Sequence, residues 1–132
     1  MTVLAFEASK IATVDPDGHC HLVGFASGNT DPQNYLMLQR SFSHDERDWK
    51  SGQDTYYFEI SGNDYARYGG IAALYLSRDQ VEVSFEPETI NALGGITNVV
   101  IAFNVSDSEY AVLNQRLQTI FAGTGRLIAS SA

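Results

Sequence analysis

Residues 71–86, IAALYLSRDQVEVSFE, decide the fold. Ile71–Ser77 is apolar and β-prone, and the following segment alternates Val81, Val83 and Phe85 with Glu82, Ser84 and Glu86. A period of two puts the three apolar side chains on one face of a strand. Arg78-Asp79 leaves room only for a tight turn between the two segments, so they read as an antiparallel hairpin with a buried side.

The same pattern extends upstream. Asp54–Ile60 (DTYYFEI) sets Tyr56, Phe58 and Ile60 against Thr55, Tyr57 and Glu59, which predicts a strand with one buried face. Tyr35–Arg40 opens as a continuous apolar run, as expected of a central strand covered on both faces. Ile11–Val14 and His19–Ala26 flank Asp15-Pro16-Asp17-Gly18, a proline-glycine turn that makes them a second hairpin, and Thr2–Ala8 reads as a further strand. Ser43–Gly52 and Ser61–Gly70 are polar or turn-rich and read as loops.

Downstream, Pro87 starts a short helix through Leu93 that Gly94-Gly95 stops, and Thr97–Val105 is another strand. Asp107–Ala122 is the clearest helix. Ser106 and Glu109 have capping-box spacing, and Tyr110, Leu113, Leu117, Ile120 and Phe121 form one apolar stripe. The expected architecture is α+β: about seven strands in a mostly antiparallel sheet, a short helix, and a C-terminal amphipathic helix on one face. Residues 1–124 make a single domain, and residues 125–132 are expected to be a flexible tail.

Composition bounds the function. A chain of 132 residues and 14.5 kDa should retain roughly 6,900 Å² of accessible surface, enough burial for a core without metals or disulfides. The lone Cys20 excludes an internal disulfide and suits a reducing compartment. The longest apolar run, Ile71–Leu76, is far short of the roughly 20 residues of a membrane span, so a cytoplasmic protein without membrane contact is expected. Sixteen acids against eight bases give a net charge of −8. Such a surface repels phosphate backbones and suits a basic protein partner, so nucleic acid is not an expected ligand. Residues 1–66 carry ten acids and four bases, the more negative half.

Few constellations carry chemistry. His19 and His21 share a strand face, with Cys20 pointing the other way into the core. A zinc site would need further ligands, which only His44 with Asp45 and Glu46 could add. No serine sits in a Gly-x-Ser-x-Gly turn, and Gly69-Gly70 lacks the lysine-serine ending of a phosphate loop. No cofactor and no catalytic residue is expected. Two segments read as binding surface: Asp45, Glu46 and Asp48 beside Trp49, and Asp64 beside Tyr65 and Tyr68. Aromatic anchors bury large area at low entropy cost, and neighbouring acids select a basic partner.

Asn34–Arg40 (NYLMLQR), Asp54–Ile60 (DTYYFEI), Tyr68–Ile71 (YGGI) and Ala92–Gly94 (ALG), in this order, resemble the Immunity protein 10 family over about Val14 to Phe121. The resemblance implies a small cytoplasmic bacterial protein, encoded beside a polymorphic or contact-dependent toxin, that neutralises the toxin by binding it. Tyr35, Leu36, Leu38, Gln39 and Arg40 match the family's signature strand, and Gly69, Gly70 and Ile71 with Tyr68 match its glycine turn. These positions read as structural, although Gln39 and Arg40 could instead reach a partner.

The leading expectation is a non-enzymatic immunity protein that forms a stoichiometric complex with a basic toxin domain, a nuclease being one such toxin. It would act as a monomer or weak homodimer. Two alternatives belong to other classes: a small metal-dependent hydrolase using His19, His21 and His44, and a homo-oligomeric module joined through a sheet edge.

Overall fold

The computed structural model describes residues 2–14, 18, 20–27, 34–41, 56–60 and 65–129. Among these, ten strands fall into two five-stranded sheets with two helices. The strands are β1 (Thr2–Glu7), β2 (Lys10–Ala12), β3 (Cys20–Ala26), β4 (Tyr35–Ser41), β5 (Tyr57–Ile60), β6 (Tyr65–Tyr68), β7 (Ile71–Ser77), β8 (Gln80–Phe85), β9 (Ile96–Ala102) and β10 (Leu127–Ala129). The helices are α1 (Pro87–Ala92) and α2 (Asp107–Ile120). The α+β class stands, with more strands than the sequence announces.

Sheet I has the order β1-β9-β8-β7-β10 and sheet II the order β2-β3-β4-β5-β6. Sheet II is an antiparallel meander, since each strand pairs with its sequence neighbour. Sheet I contains the β7–β8 hairpin with Ser77 opposite Gln80, and both of its edge pairings are parallel, β1 with β9 and β10 with β7. Parallel strands need a long return connection, and the chain reaches β10, beside β7, from β9 through α2.

The inward faces of the two sheets pack together. Phe58 stacks on Phe85 with ring centroids 5.6 Å apart, and Phe25 on Phe103 at 6.1 Å. Val23, Leu36, Leu38, Ile60, Leu74, Val81, Val83, Val99 and Ile101 fill the layer between them and are fully buried. The helical stripe adds Leu113, Leu117 and Ile120. The C-terminal helix packs against β3, β4 and β10, reaching strands of both sheets instead of lying on the face of one. Total exposed surface is 7396 Å², a little above the expectation from mass.

Several expected elements change. Tyr35–Arg40 is the central strand of its sheet, but it alternates: Leu36 and Leu38 are buried while Tyr35, Met37 and Gln39 are part-exposed. Tyr65–Tyr68 is a strand where a loop was expected, held by the pairing of Tyr57 with Tyr68 and Ile60 with Tyr65. Within the stretch expected as a tail, Leu127–Ala129 forms β10. Residues 15–17 of the expected turn lie outside the described residues, and Gly18 has φ +70°, a left-handed conformation that favours glycine.

The chain passes between the sheets at two corners. Ala8 donates its N–H to Ala102 of sheet I, and the next residue, Ser9, donates to Ala26 of sheet II. At the second corner, Gly69 N–H donates to Tyr56 O beside β5, while Gly70 O accepts from Glu86 N just past β8.

Candidate functional site

Arg40, Tyr56, Gly70 and Ile71, four of the residues that carry the family resemblance, meet at the second corner. Gly70 has φ +93°, and a Cβ there would lie 2.6 Å from Thr89 Oγ1 and 2.8 Å from Arg67 Cδ. Only glycine fits. The Gly70 carbonyl accepts from the buried Thr89 hydroxyl at 2.8 Å, which moors α1 to the crossing. One residue on, Ile71 donates its N–H to Tyr56 Oη at 3.0 Å, and that hydroxyl donates back to Ile71 O at 3.2 Å. Burial pushes the Tyr56 phenol above its ordinary pKa, opposed by its bond to Ile71 and reinforced by Glu86.

Arg40 completes this region from β4. Its guanidinium donates to Ile120 O at 3.1 Å and Ala122 O at 2.6 Å, at the C-terminus of α2. Those carbonyls are the unsatisfied negative end of the helix, where a cation is favoured. A polar cleft of about 380 Å³ opens here between Arg40, Tyr56, Glu86 and Arg126. The Tyr56 hydroxyl and the Arg40 guanidinium both hold backbone in this cleft, so its geometry is that of a structural joint.

The histidine triplet is arranged differently from expectation. Val23 and Phe25 are buried on β3, so His21 shares their inward face, and Cys20 lies with Leu22 on the outward one. Cys20 Sγ contacts Gln39 Oε1 at 3.7 Å across that outward face. The phase of the strand, set by two large apolar residues, overrides the tendency of cysteine to be buried. His19 and His44 lie outside the described residues, as do Asp45, Glu46, Asp48, Trp49 and Asp64. Among the described residues no three His, Cys, Asp or Glu side chains gather as metal ligands.

Of the aromatic candidates, Tyr65 opens β6 and Tyr68 ends it, 37% exposed on the outward face of sheet II. Tyr68 pairs with Tyr57, ring centroids 5.1 Å apart, and Tyr57 lies opposite Gln39. Partial burial, with Glu59 and Tyr68 nearby, raises the Tyr57 pKa. Gln39 therefore points outward, while Arg40 is turned to the helix end.

The outward face of sheet I escapes the sequence reading. One row crosses all five strands in register: Ala5, Val100, Glu82, Tyr75 and Ile128. Val3, Tyr75 and Ile128 are 51%, 45% and 50% exposed. Glu82 accepts a hydrogen bond from Asn98 Nδ2 at 3.0 Å. Among the described residues, the outward strand positions carry Glu7 and Glu82 and no lysine or arginine. Arg126, just before β10, places its guanidinium against Ala72 O at 3.3 Å. The clue was available in β8, whose buried Val81 and Val83 force Glu82 outward; the unbroken apolar run of β7 concealed that Tyr75 faces the same way.

No described helix is long and apolar enough to cross a membrane. The sequence model of one family, Immunity protein 10, matches residues 7–111. That span starts earlier and ends earlier than the one suggested by the short motifs, and it takes in both corner crossings. No curated protein and no solved structure matches the chain.

Proposed function

The chain belongs to the Immunity protein 10 family, and from that premise we propose that it neutralises a cognate toxin domain by binding it in a stoichiometric, non-enzymatic complex. The match over residues 7–111 carries this reading. The structure is compatible with it in a specific way. The signature residues Arg40, Gly70 and Ile71 are spent on holding two sheets and a helix together, which leaves recognition to other residues.

The net charge of −8 supports a basic partner, such as a domain that cuts nucleic acid. An acidic binder is steered toward such a domain and competes with its polyanionic substrate. We also propose cytoplasmic action, and an edge of the interface at the acidic aromatic segments, through Asp45, Glu46, Asp48 and Trp49 and through Asp64, Tyr65 and Tyr68.

The test is growth of a heterologous host expressing the C-terminal domain of the protein encoded immediately upstream, with and without this chain. Rescue only in its presence, with a one-to-one complex on purification, is the expected result. Persistent toxicity despite soluble expression of both proteins, with no complex on purification, would overturn this reading. Trp49→Ala and Asp64→Ala should then weaken rescue without loss of folded protein.

A further inference from the structure

We propose that the toxin domain docks on the outward face of sheet I, with Glu82 at its centre receiving a lysine or arginine of the partner. This rests on the immunity reading above. A solvent-facing sheet normally carries polar residues at its outward positions. Here Val3, Tyr75 and Ile128 spread exposed apolar surface from one edge strand to the other. Tyr75 and Ile128 are paired neighbours, and an exposed apolar patch of this kind marks an interaction site. The positions between them are mostly small, so a partner's surface can approach the strands closely.

The charge pattern selects the occupant. Glu82 sits in the middle strand of the five, paired with Tyr75 on one side and Val100 on the other. Its carboxylate is aimed by the Asn98 side-chain amide, so its orientation is fixed before binding, and a carboxylate retains acceptor capacity beyond one bond. An incoming cation would lose water against apolar neighbours and gain the carboxylate, while its methylene stem lies along the Tyr75 ring. A second copy of this chain is the poorer occupant. Two-fold stacking of this face on itself would bring two Glu82 carboxylates together near the axis, with no lysine or arginine at the outward strand positions to offset them.

The experiment measures binding of the full chain to the C-terminal domain of the protein encoded immediately upstream, by calorimetry at two salt concentrations. Wild type is compared with Glu82→Gln, Glu82→Lys and Tyr75→Ala, and with Met37→Ala at the centre of the outward face of sheet II. Glu82→Gln is expected to weaken binding about tenfold, Glu82→Lys about a hundredfold, and Tyr75→Ala about tenfold. Met37→Ala should stay within about twofold, and thermal unfolding should confirm that every variant is folded. Affinity of Glu82→Gln should also depend less on salt than that of wild type.

Wild-type rescue with all three sheet I variants binding within about twofold of wild type would overturn this proposal and leave the immunity reading intact. Loss through Met37→Ala alone would place the toxin on the outward face of sheet II and overturn the proposal. A wild-type dimer that Glu82→Lys dissolves would assign the face to a second copy. No binding and no rescue by wild type would remove the immunity reading and this proposal together.

Discussion

Arg40 closes the C-terminus of a helix eighty residues further along the chain, donating to the Ile120 carbonyl at 3.1 Å. A second bond to Ala122 O lets one guanidinium serve two carbonyls whose own helical partners are missing. Arg40→Ala should destabilise the fold by about 2 kcal/mol, because bonds to a charged group at a helix end are stronger than neutral ones. Arg40→Lys, with a point charge in place of a fork, should recover only part of that. Urea unfolding of the free protein checks both values.

Two tyrosine-to-phenylalanine changes should differ in sign. Tyr56→Phe strips the Ile71 N–H of its acceptor inside the protein and should cost about 1–3 kcal/mol. Tyr110 has a buried hydroxyl without a hydrogen-bond partner among the described residues, and its ring lies 5.1 Å beneath the Arg78 guanidinium. Tyr110→Phe keeps that ring and removes an unsatisfied group, so stability should hold or rise by up to about 1 kcal/mol. Parallel denaturant titrations decide the comparison.

Alkaline pH should reveal Tyr56 a second time. Its pKa is raised in the folded state, chiefly by burial, so the neutral phenol is the form that folding favours. The stability this contributes is complete below the unfolded pKa and is lost as pH rises toward the folded one. Unfolding free energy should therefore fall with increasing pH above about 10, the ordinary tyrosine value. The slope should be shallower in Tyr56→Phe, with Tyr57 supplying part of what remains.

Gly70→Ala should be among the most damaging single-methyl additions, about 2 kcal/mol or more. It combines a left-handed backbone with a 2.6 Å approach to Thr89 Oγ1. Gly94→Ala is the control. Its φ is +70° with open space around the new methyl, so only the backbone penalty of about 1 kcal/mol applies. Melting temperatures of the two variants should rank accordingly.

The capping box of α2 makes an acid-side prediction. Ser106 Oγ accepts from Glu109 N at 3.2 Å, and Glu109 Oε1 accepts from Ser106 N at 2.9 Å. The bonds to Ser106 hold the Glu109 carboxyl below the usual carboxylate range. A depressed folded pKa contributes stability above the unfolded value and loses it as pH falls through the folded one. Ser106→Ala should cost about 1 kcal/mol at neutral pH and flatten that acid limb only in part, because the backbone N–H of residue 106 still bonds the Glu109 carboxylate. Unfolding midpoints between neutral pH and acid measure it.

Local patterns in the chain forecast local structure well. The Val81-Val83-Phe85 phase, the Tyr56-Phe58-Ile60 phase, the capping box and the stripe of α2 are all present as read. Strands whose existence depends on a neighbour were invisible. Tyr65–Tyr68 is four residues inside a turn-rich stretch, and Leu127–Ala129 is three residues that become a strand only because α2 returns them alongside β7.

Periodicity also states that a face is buried without saying against what, so two packed sheets looked like one sheet covered by a helix. At the corner, YGGI marked a turn that needs glycine, but Thr89 and Tyr56 reach it from distant segments. Val3, Tyr75 and Ile128 belong to three strands whose adjacency no local pattern encodes. The acidic segment around Trp49 lies outside the described residues.

The order of sheet I has a consequence for how the molecule is made. β1 pairs with β9, more than ninety residues later, whereas sheet II is stitched entirely from neighbours. On a nascent chain, the meander can close while β1 waits without its partner strand. Contacts so far apart in sequence form slowly. The outward face of sheet I is therefore the last part to exist, completed only when α2 has swung β10 into place against β7. A newly made molecule would have its second sheet well before it has the surface proposed here to hold a toxin.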